Sequence, residues 1–401
     1  MIMGRNPKFN VLWAQIISPI EEAFFKLDEV ANGKDHHAMG QQFVDMLLND
    51  CSAFGTGDFS KFESSIRSEM LAVEYYVYKL VIEKMAPHLK PLLDKLFALT
   101  TDNQASTSVG VALKFLFCRV SGDLTTSLGN GIINLITTQY NQIMNTCDSE
   151  NCKFDRCDNP LCRTKNVIVK GDDSVFGMNV GQRLENHYQF FGFDAKLQCF
   201  DNAEEVEFCS GNFIRVNPTQ YVYAQKLQKL LESLTTCINQ DAIDNGWVAQ
   251  YYKSLGMMYK IVYRGIPVYE QIGDFLLKTN TEHGLNLSLV TSYNLLDAFC
   301  AEHNDIAIDY NTATLSISLV NKMDYGELQR IIDWCNSSAL KFPAEMCKRS
   351  KTSLRKSDDY QFTKYDEENH LMEKKAIPRL AYKNMQQIFA HIKRYGGNHI
   401  F

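Results

Sequence analysis

Three aspartates carry the pattern with the clearest chemistry. Asp58 closes an apolar segment, 51–59, that reads as a short strand. Asp172 and Asp173 follow Gly171 between two β-branched segments, 166–170 and 174–176, which predicts a hairpin with acidic residues at its turn. In-line displacement at phosphorus can use two hard cations about 4 Å apart, one activating the attacking hydroxyl and one steadying the leaving group. Magnesium suits such a site, because it takes a few carboxylates and fills its shell with phosphate oxygens and water. Three aspartates from two adjacent strand ends meet that need. Gly-Asp-Asp by itself is also an ordinary turn, so it does not carry the inference alone.

A second element lies between the acidic segments. Residues 121–130 read Ser-Gly-Asp-Leu-Thr-Thr-Ser-Leu-Gly-Asn, and a helical pattern spanning roughly 123–145 follows. Thr126 and Asn130 are four apart and share one helix face, while Gly122 permits a mobile loop ahead of them. An N-capped helix with Ser121 as its cap would account for the local pattern. It would not account for the order in which the pattern falls between the two acidic strands.

Taken together, Asp58-x4-Glu63, Ser121-Gly122-x3-Thr126-x3-Asn130 and Gly171-Asp172-Asp173 resemble motifs A, B and C of the RNA-dependent RNA polymerases of positive-strand RNA viruses. The phrases SGDLTTSLGN and VEFCSGNF are most similar to tombusvirus-like enzymes, with nodavirus-like enzymes next. The resemblance runs from the N-terminus to about residue 216. It implies that Asp58 and Asp172 bind the catalytic Mg2+ (or Mn2+) ions with Asp173 as an auxiliary ligand. Ser121 and Gly122 would begin a loop that steers template and nucleotide, and Thr126 and Asn130 would help read the ribose. Glu63 stands where the family usually has Asp, one methylene longer, which puts its role in 2′-hydroxyl sensing in question. Lys196, in Phe-Gly-Phe-Asp-Ala-Lys, resembles the motif D lysine that protonates pyrophosphate as a general acid; otherwise it is a surface lysine. Phe208-Cys209-Ser210 resembles the motif E hairpin. Residues 2–10 resemble the end of motif F, making Arg5 and Lys8 the candidates for the triphosphate, since a guanidinium pairs with phosphate through two parallel hydrogen bonds.

These residues require a scaffold of the α+β class. The resemblance implies a right-hand polymerase with an antiparallel palm sheet, partial fingers and a mainly helical thumb. On that basis 1–57 are partial fingers ending motif F, 58–85 palm with motif A, and 86–115 a fingers insertion. The span 116–216 is palm with motifs B to E, 217–357 thumb, and 358–401 a polar C-terminal tail. The rest of the fingers is expected upstream, and the chain as given is expected to polymerise poorly without it. Periodicity predicts a helix across 9–28 in which Pro19 begins a second segment. Ile66, Met70, Val73, Val77 and Leu80 mark a buried helical stripe, and Val180, Leu184, Tyr188 and Phe191 mark a further helix. The span 205–216 reads as a second hairpin, and helical patterns dominate from Pro218 onward.

Of the 401 residues, 45% are hydrophobic and 22% charged, an ordinary globular balance. No apolar run approaches the ~18 residues of a membrane span, so no transmembrane segment is expected. The net charge of −6 argues against nucleic-acid binding when averaged over the chain. Against that average, 341–356 carry six basic residues to one acidic, either an RNA-facing surface or a solvated face. Twelve cysteines without an export signal point to reduced thiols in a cytosolic setting, and the resemblance implies the host cell cytoplasm, at membrane-associated replication complexes. Cys147, Cys152, Cys157 and Cys162 recur every five residues and have the composition of a structural Zn2+ site; free thiols in a polar insert explain them equally well. The expected partners are an RNA template, the nascent strand, NTPs, the upstream fingers region, and viral or host replication proteins. Two alternatives use the same residues: a catalytically incomplete RNA-binding fragment of such a polymerase, and a reverse transcriptase. A ribose-reading Asn130 disfavours the second.

Overall fold

The computed structural model describes residues 5–106, 112–146, 166–180, 182, 184–234, 237, 239–281, 283–290 and 306–341. The four regularly spaced cysteines, most of the basic run 341–356 and the polar tail lie outside these residues. In chain order the elements that matter for the site are α1 (Pro7–Phe24), α2 (His36–Phe43), β1 (Ala53–Phe59), α3 (Phe62–Ser65), α4 (Ser68–Met85), α5 (Lys90–Thr101), β2 (Asp102–Ser106), β3 (Ala112–Leu116) and α6 (Thr126–Thr146). There follow β4 (Val167–Lys170), β5 (Asp173–Met178), β6 (Ala195–Phe200), β7 (Glu207–Phe208), β8 (Gly211–Arg215) and β9 (Tyr221–Gln225). The architecture mixes helices with antiparallel sheet, and the described residues divide into two compact units.

The first unit takes in 5–33 and 45–209. Asn6 caps α1 by accepting the Lys8 N–H at 2.9 Å, and Pro7 occupies the first turn, where its missing donor costs nothing. Pro19 lies inside this one helix and does not start a second. Trp13, Ile16, Ile17, Ile20, Ala23 and Phe24 form an unbroken buried stripe past it, and burial of that stripe offsets the lost backbone bond. Along α4, Met70, Val73 and Val77 are buried, Leu80 is half-buried, and Ile66 is buried just ahead of the helix. The segment 86–115 resolves into α5 and a β2–β3 hairpin.

A four-stranded sheet in the order β4–β5–β1–β6, antiparallel throughout, is the centre of this unit. Its edge at β4 is covered by the chain at 29–31: the Ala31 N–H donates to the Val169 carbonyl at 2.9 Å, and the Val169 N–H donates to Glu29 at 2.8 Å. That pairing blunts an exposed strand edge. The helix expected from Val180, Leu184, Tyr188 and Phe191 does not form. The described residues there are irregular until one 3-10 turn, Tyr188–Phe191. Side chains of α6 take up the backbone instead: the Glu185 N–H donates to Asn145 Oδ1 at 2.6 Å and the His187 N–H to Asn141 Oδ1 at 2.9 Å. Side-chain bonding of this kind competes with helix formation.

The second unit takes in 34–44 and 210–341 and is mainly helical, as expected, around the β8–β9 hairpin. Helix α2 lies against β9 so closely that a Cβ on Gly40 would sit 1.9 Å from the Tyr221 carbonyl oxygen. Backbone cannot rotate out of the way, so Gly40→Ala is expected to cost about 1–3 kcal/mol as overpacking. Hydrogen exchange localised to β8–β9 and the denaturation midpoint would both report it; an unchanged midpoint would contradict the close approach.

Candidate active site

Gly171 and Asp172 form the two-residue turn between β4 and β5, closed by the register pair Lys170 and Asp173. Gly171 has φ +60°, which the first central position of such a tight hairpin demands and which glycine adopts without strain. The turn projects from the sheet, with Asp172 exposed and Asp173 partly covered. On the neighbouring strand Asp58 is the single exposed residue of β1, its alternate neighbours Gly57 and Phe59 being buried. Because Gly57 pairs with Ser174, the end of β1 lies beside the start of β5, which sets Asp58 next to the acidic turn.

Electrostatics record that proximity. Burial pushes the Asp173 carboxyl above the usual carboxylate range, the charge of Asp172 adds to the effect, and Asp58 contributes further. The Cys209 thiol, just beyond β7, hydrogen-bonds the same carboxyl and opposes the rise. Burial, the Asp173 charge and that bond raise the Cys209 pKa far above the ordinary thiol range, so it donates as a neutral S–H. Crowded carboxylates of this kind are what a cation relieves. Among the described residues no three His, Cys, Asp or Glu side chains converge closely enough to hold a metal by themselves. An all-oxygen set of so few protein ligands fits magnesium, which leaves most of its positions to phosphate and water.

Lys196 stands directly opposite Asp58 in the β1–β6 register and is exposed. Directly opposed residues of an antiparallel pair share a face of the sheet, so Lys196 lies on the same face as Asp58. Glu63 lies in α3, five residues past Asp58 and half-buried. No hydrogen bond joins Glu63 to Asn130 among the described residues.

The Ser121–Thr126 loop leads into α6. Gly122 has φ +94°, Ser121 is half-buried, and the Thr126 hydroxyl donates to the Val120 carbonyl at 3.3 Å. Asn130, one turn into the helix, is buried, and its Oδ1 has no hydrogen-bond partner among the described residues. A buried amide oxygen with an unmet partner marks a place where a ligand hydroxyl could be received.

Two ion pairs anchor this loop, and neither was anticipated from the sequence. Arg119 is buried against Glu74 of α4, with side-chain exposures of 3% and 1%. Its guanidinium also donates to Thr125 Oγ1 at 2.9 Å, and Glu74 accepts from the Tyr78 hydroxyl at 2.8 Å. Gly129 packs where any Cβ would strike the pair. The signal was present in the periodicity: Glu74 falls between Met70 and Tyr78 at helical spacing on a buried face. The second pair joins Arg5 to Asp123 at 2.6 Å, with Asn103 as a further acceptor and Phe9 beneath the guanidinium. Arg5, expected at a triphosphate, is thus held to the loop, while Lys8 is exposed on the first turn of α1.

The model of a family described as "Viral RNA dependent RNA polymerase" matches residues 1–310. Among curated proteins, the RNA-directed RNA polymerase of Panicum mosaic virus is 26% identical over 259 residues, covering 60% of this chain and 23% of that protein. The RNA-directed RNA polymerase of Tobacco necrosis virus (strain D) is 24% identical over 298 residues, 69% of this chain and 39% of its own length. That of Groundnut rosette virus is 22% identical over 304 residues, 71% and 33% respectively. The chain therefore spans well under half the length of these relatives.

Proposed function

This chain belongs to the viral RNA-dependent RNA polymerase family, and from that premise we propose that it carries the catalytic site for template-directed RNA synthesis from NTPs. The observation that carries the proposal is the placement of Asp58, Asp172 and Asp173 at neighbouring ends of the two central strands β1 and β5, where the charges of the other two add to the burial that raises the Asp173 carboxyl. In this reading the sheet and its helices are the palm, and the helical second unit is the thumb. Asp58 and Asp172 hold Mg2+ or Mn2+, with Asp173 as auxiliary ligand. Those ions, when bound, supply activation of the attacking 3′-hydroxyl and charge neutralisation at the leaving pyrophosphate.

The protein's own groups do the rest. In this reading Lys196 gives a proton to the departing pyrophosphate, and its register position across from Asp58 supports that role. Ser121 and Gly122 supply the loop that guides template and nucleotide, braced from behind by Arg119. Lys8 is the exposed cation of the first turn for the triphosphate; Arg5 serves there only by leaving Asp123. RNA template, nascent strand and NTPs are the implied ligands.

Ribose choice is assigned to Asn130, together with Thr126 and Glu63. The buried, unpartnered Oδ1 of Asn130 is suited to a hydroxyl donor, and a site that hydrogen-bonds a substrate hydroxyl rejects the analogue lacking it. Primer extension on a defined RNA template should incorporate the templated rNTP well ahead of the matching dNTP, and only with a divalent cation. Asn130→Ala should narrow that preference by roughly tenfold or more. Equal use of rNTP and dNTP by the unaltered protein would favour the reverse transcriptase reading. An unchanged preference in Asn130→Ala would remove Asn130 from ribose recognition. RNA binding without any incorporation would favour the non-catalytic fragment.

A further inference from the structure

We propose that Asn134, one helical turn beyond Asn130, is a positioning residue that sets the conformation of the Gly171-Asp172 turn and so the aim of the metal-binding carboxylates. The inference rests on the reading of Asp58, Asp172 and Asp173 as a metal site. Asn134 is fully buried on α6. Its Nδ2 donates to the Gly171 carbonyl at 3.1 Å and to the Asp173 carbonyl at 2.9 Å, the two backbone oxygens on either side of Asp172. One side-chain amide thus spans the turn from beneath.

A Cβ built on Gly171 would meet nothing within 4 Å, so side-chain packing does not restrain its backbone. The register pair Lys170 and Asp173 closes the hairpin but does not fix how the two loop residues tilt. The two hydrogen bonds from Asn134 add that restraint, one at the Gly171 carbonyl inside the turn and one at the Asp173 carbonyl on its far side.

The amide is itself oriented. Asn134 Oδ1 accepts from the Thr138 hydroxyl at 2.8 Å, which leaves the Nδ2 end facing the turn. Thr138 Oγ1 in turn accepts from the buried Tyr188 hydroxyl at 2.9 Å. The Tyr188 phenol, its pKa pushed up to about 12 by burial, stays a donor. A Cβ on Gly57, the residue before Asp58, would lie 3.3 Å from the same Tyr188 oxygen. The chain from Tyr188 through Thr138 and Asn134 therefore runs from behind one acidic strand to beneath the acidic turn. Groups that orient metal ligands without touching the metal typically cost 10–100-fold in affinity or activity when lost, on the order of what is expected here.

The test uses the full chain and Mn2+ as the probe, with free Mn2+ read by electron paramagnetic resonance and, in parallel, steady-state NTP incorporation. Asn134→Ala removes both donors. Asn134→Asp keeps the shape but turns oxygens toward the two carbonyls. Thr138→Val keeps volume and leaves the amide free to flip. Asn134→Ala and Asn134→Asp are expected to weaken Mn2+ binding about tenfold and to lower kcat about 10–100-fold, with KM for NTP within about twofold of wild type. Thr138→Val should give a smaller loss of the same kind, by about threefold or more. A folding defect alone would reduce the amount of active protein without changing the Mn2+ affinity of what remains. Wild-type Mn2+ affinity in folded Asn134→Ala overturns the proposal; if that variant does not fold, wild-type affinity in Thr138→Val does so. Asp172→Ala separates the two levels of inference. If it binds Mn2+ as wild type does, or if wild type binds none, the metal-site reading fails. If Asp172→Ala loses Mn2+ while the Asn134 and Thr138 variants keep it, only the positioning role fails.

Discussion

Replacing Asp172 by alanine is expected to reduce nucleotide incorporation by about a thousandfold or more, and replacing Asp58 to do the same, with the fold left intact. The two halves of that expectation have separate causes. A thousandfold loss corresponds to about 4 kcal/mol of transition-state stabilisation, a reasonable share for a carboxylate that holds a catalytic cation. Both side chains are exposed and make no structural hydrogen bond among those described, so truncation should change stability by no more than about 0.5 kcal/mol. Asp173 is different. It is partly buried and bonded to the Cys209 thiol, so its replacement should cost some stability as well as rate. Single-turnover extension with saturating Mg2+, alongside a denaturation curve for each variant, measures both. Near wild-type turnover in Asp172→Ala would remove the turn from the catalytic site. Loss of rate accompanied by an equal loss of folded protein would reduce it to a structural feature.

The second large effect is on stability. Arg119→Met leaves the Glu74 carboxylate buried without its counter-charge, and breaking a buried pair in this way costs about 3–5 kcal/mol. The double variant Glu74→Leu with Arg119→Met should recover most of that, because a buried ion pair is often no better than a well-packed apolar one. It should not recover activity to the same degree. Arg119 also grips Thr125 Oγ1, and with it the entrance to α6, so the loop before Thr126 loses one of its two anchors in both variants and keeps only Arg5–Asp123. Denaturant midpoints on the single and double variants, with incorporation measured on each, separate the terms. A single variant as stable as wild type would mean the pair is not buried as described. A double variant with full activity would mean the loop does not depend on Arg119.

The acidic turn, the loop at Ser121 and Gly122 and the helix carrying Thr126 and Asn130 were legible in the sequence because each is a local pattern. Alternation, helical spacing, and glycine where φ must be positive are properties of a few consecutive residues. The register that sets Lys196 against Asp58 lay beyond such patterns, since one residue of slip would turn either side chain to the other face. The helix expected across Val180–Phe191 failed for a related reason: spacing reports which residues are apolar, and not that Asn141 and Asn145 capture the backbone donors a helix would need.

By itself, then, the sequence determined the chemistry on offer and its order along the chain: carboxylates at a strand end and a hairpin turn, with an amide-bearing helix between them. Tertiary structure alone decided which polar groups are structural. Arg5 pairs with Asp123, Arg119 with Glu74, and Asn134 bridges Gly171 and Asp173, across separations of 37 to 118 residues. No local pattern encodes those partners. A buried charge or amide is costly until it finds a counterpart, and which counterpart lies within reach is settled only when helices and strands pack.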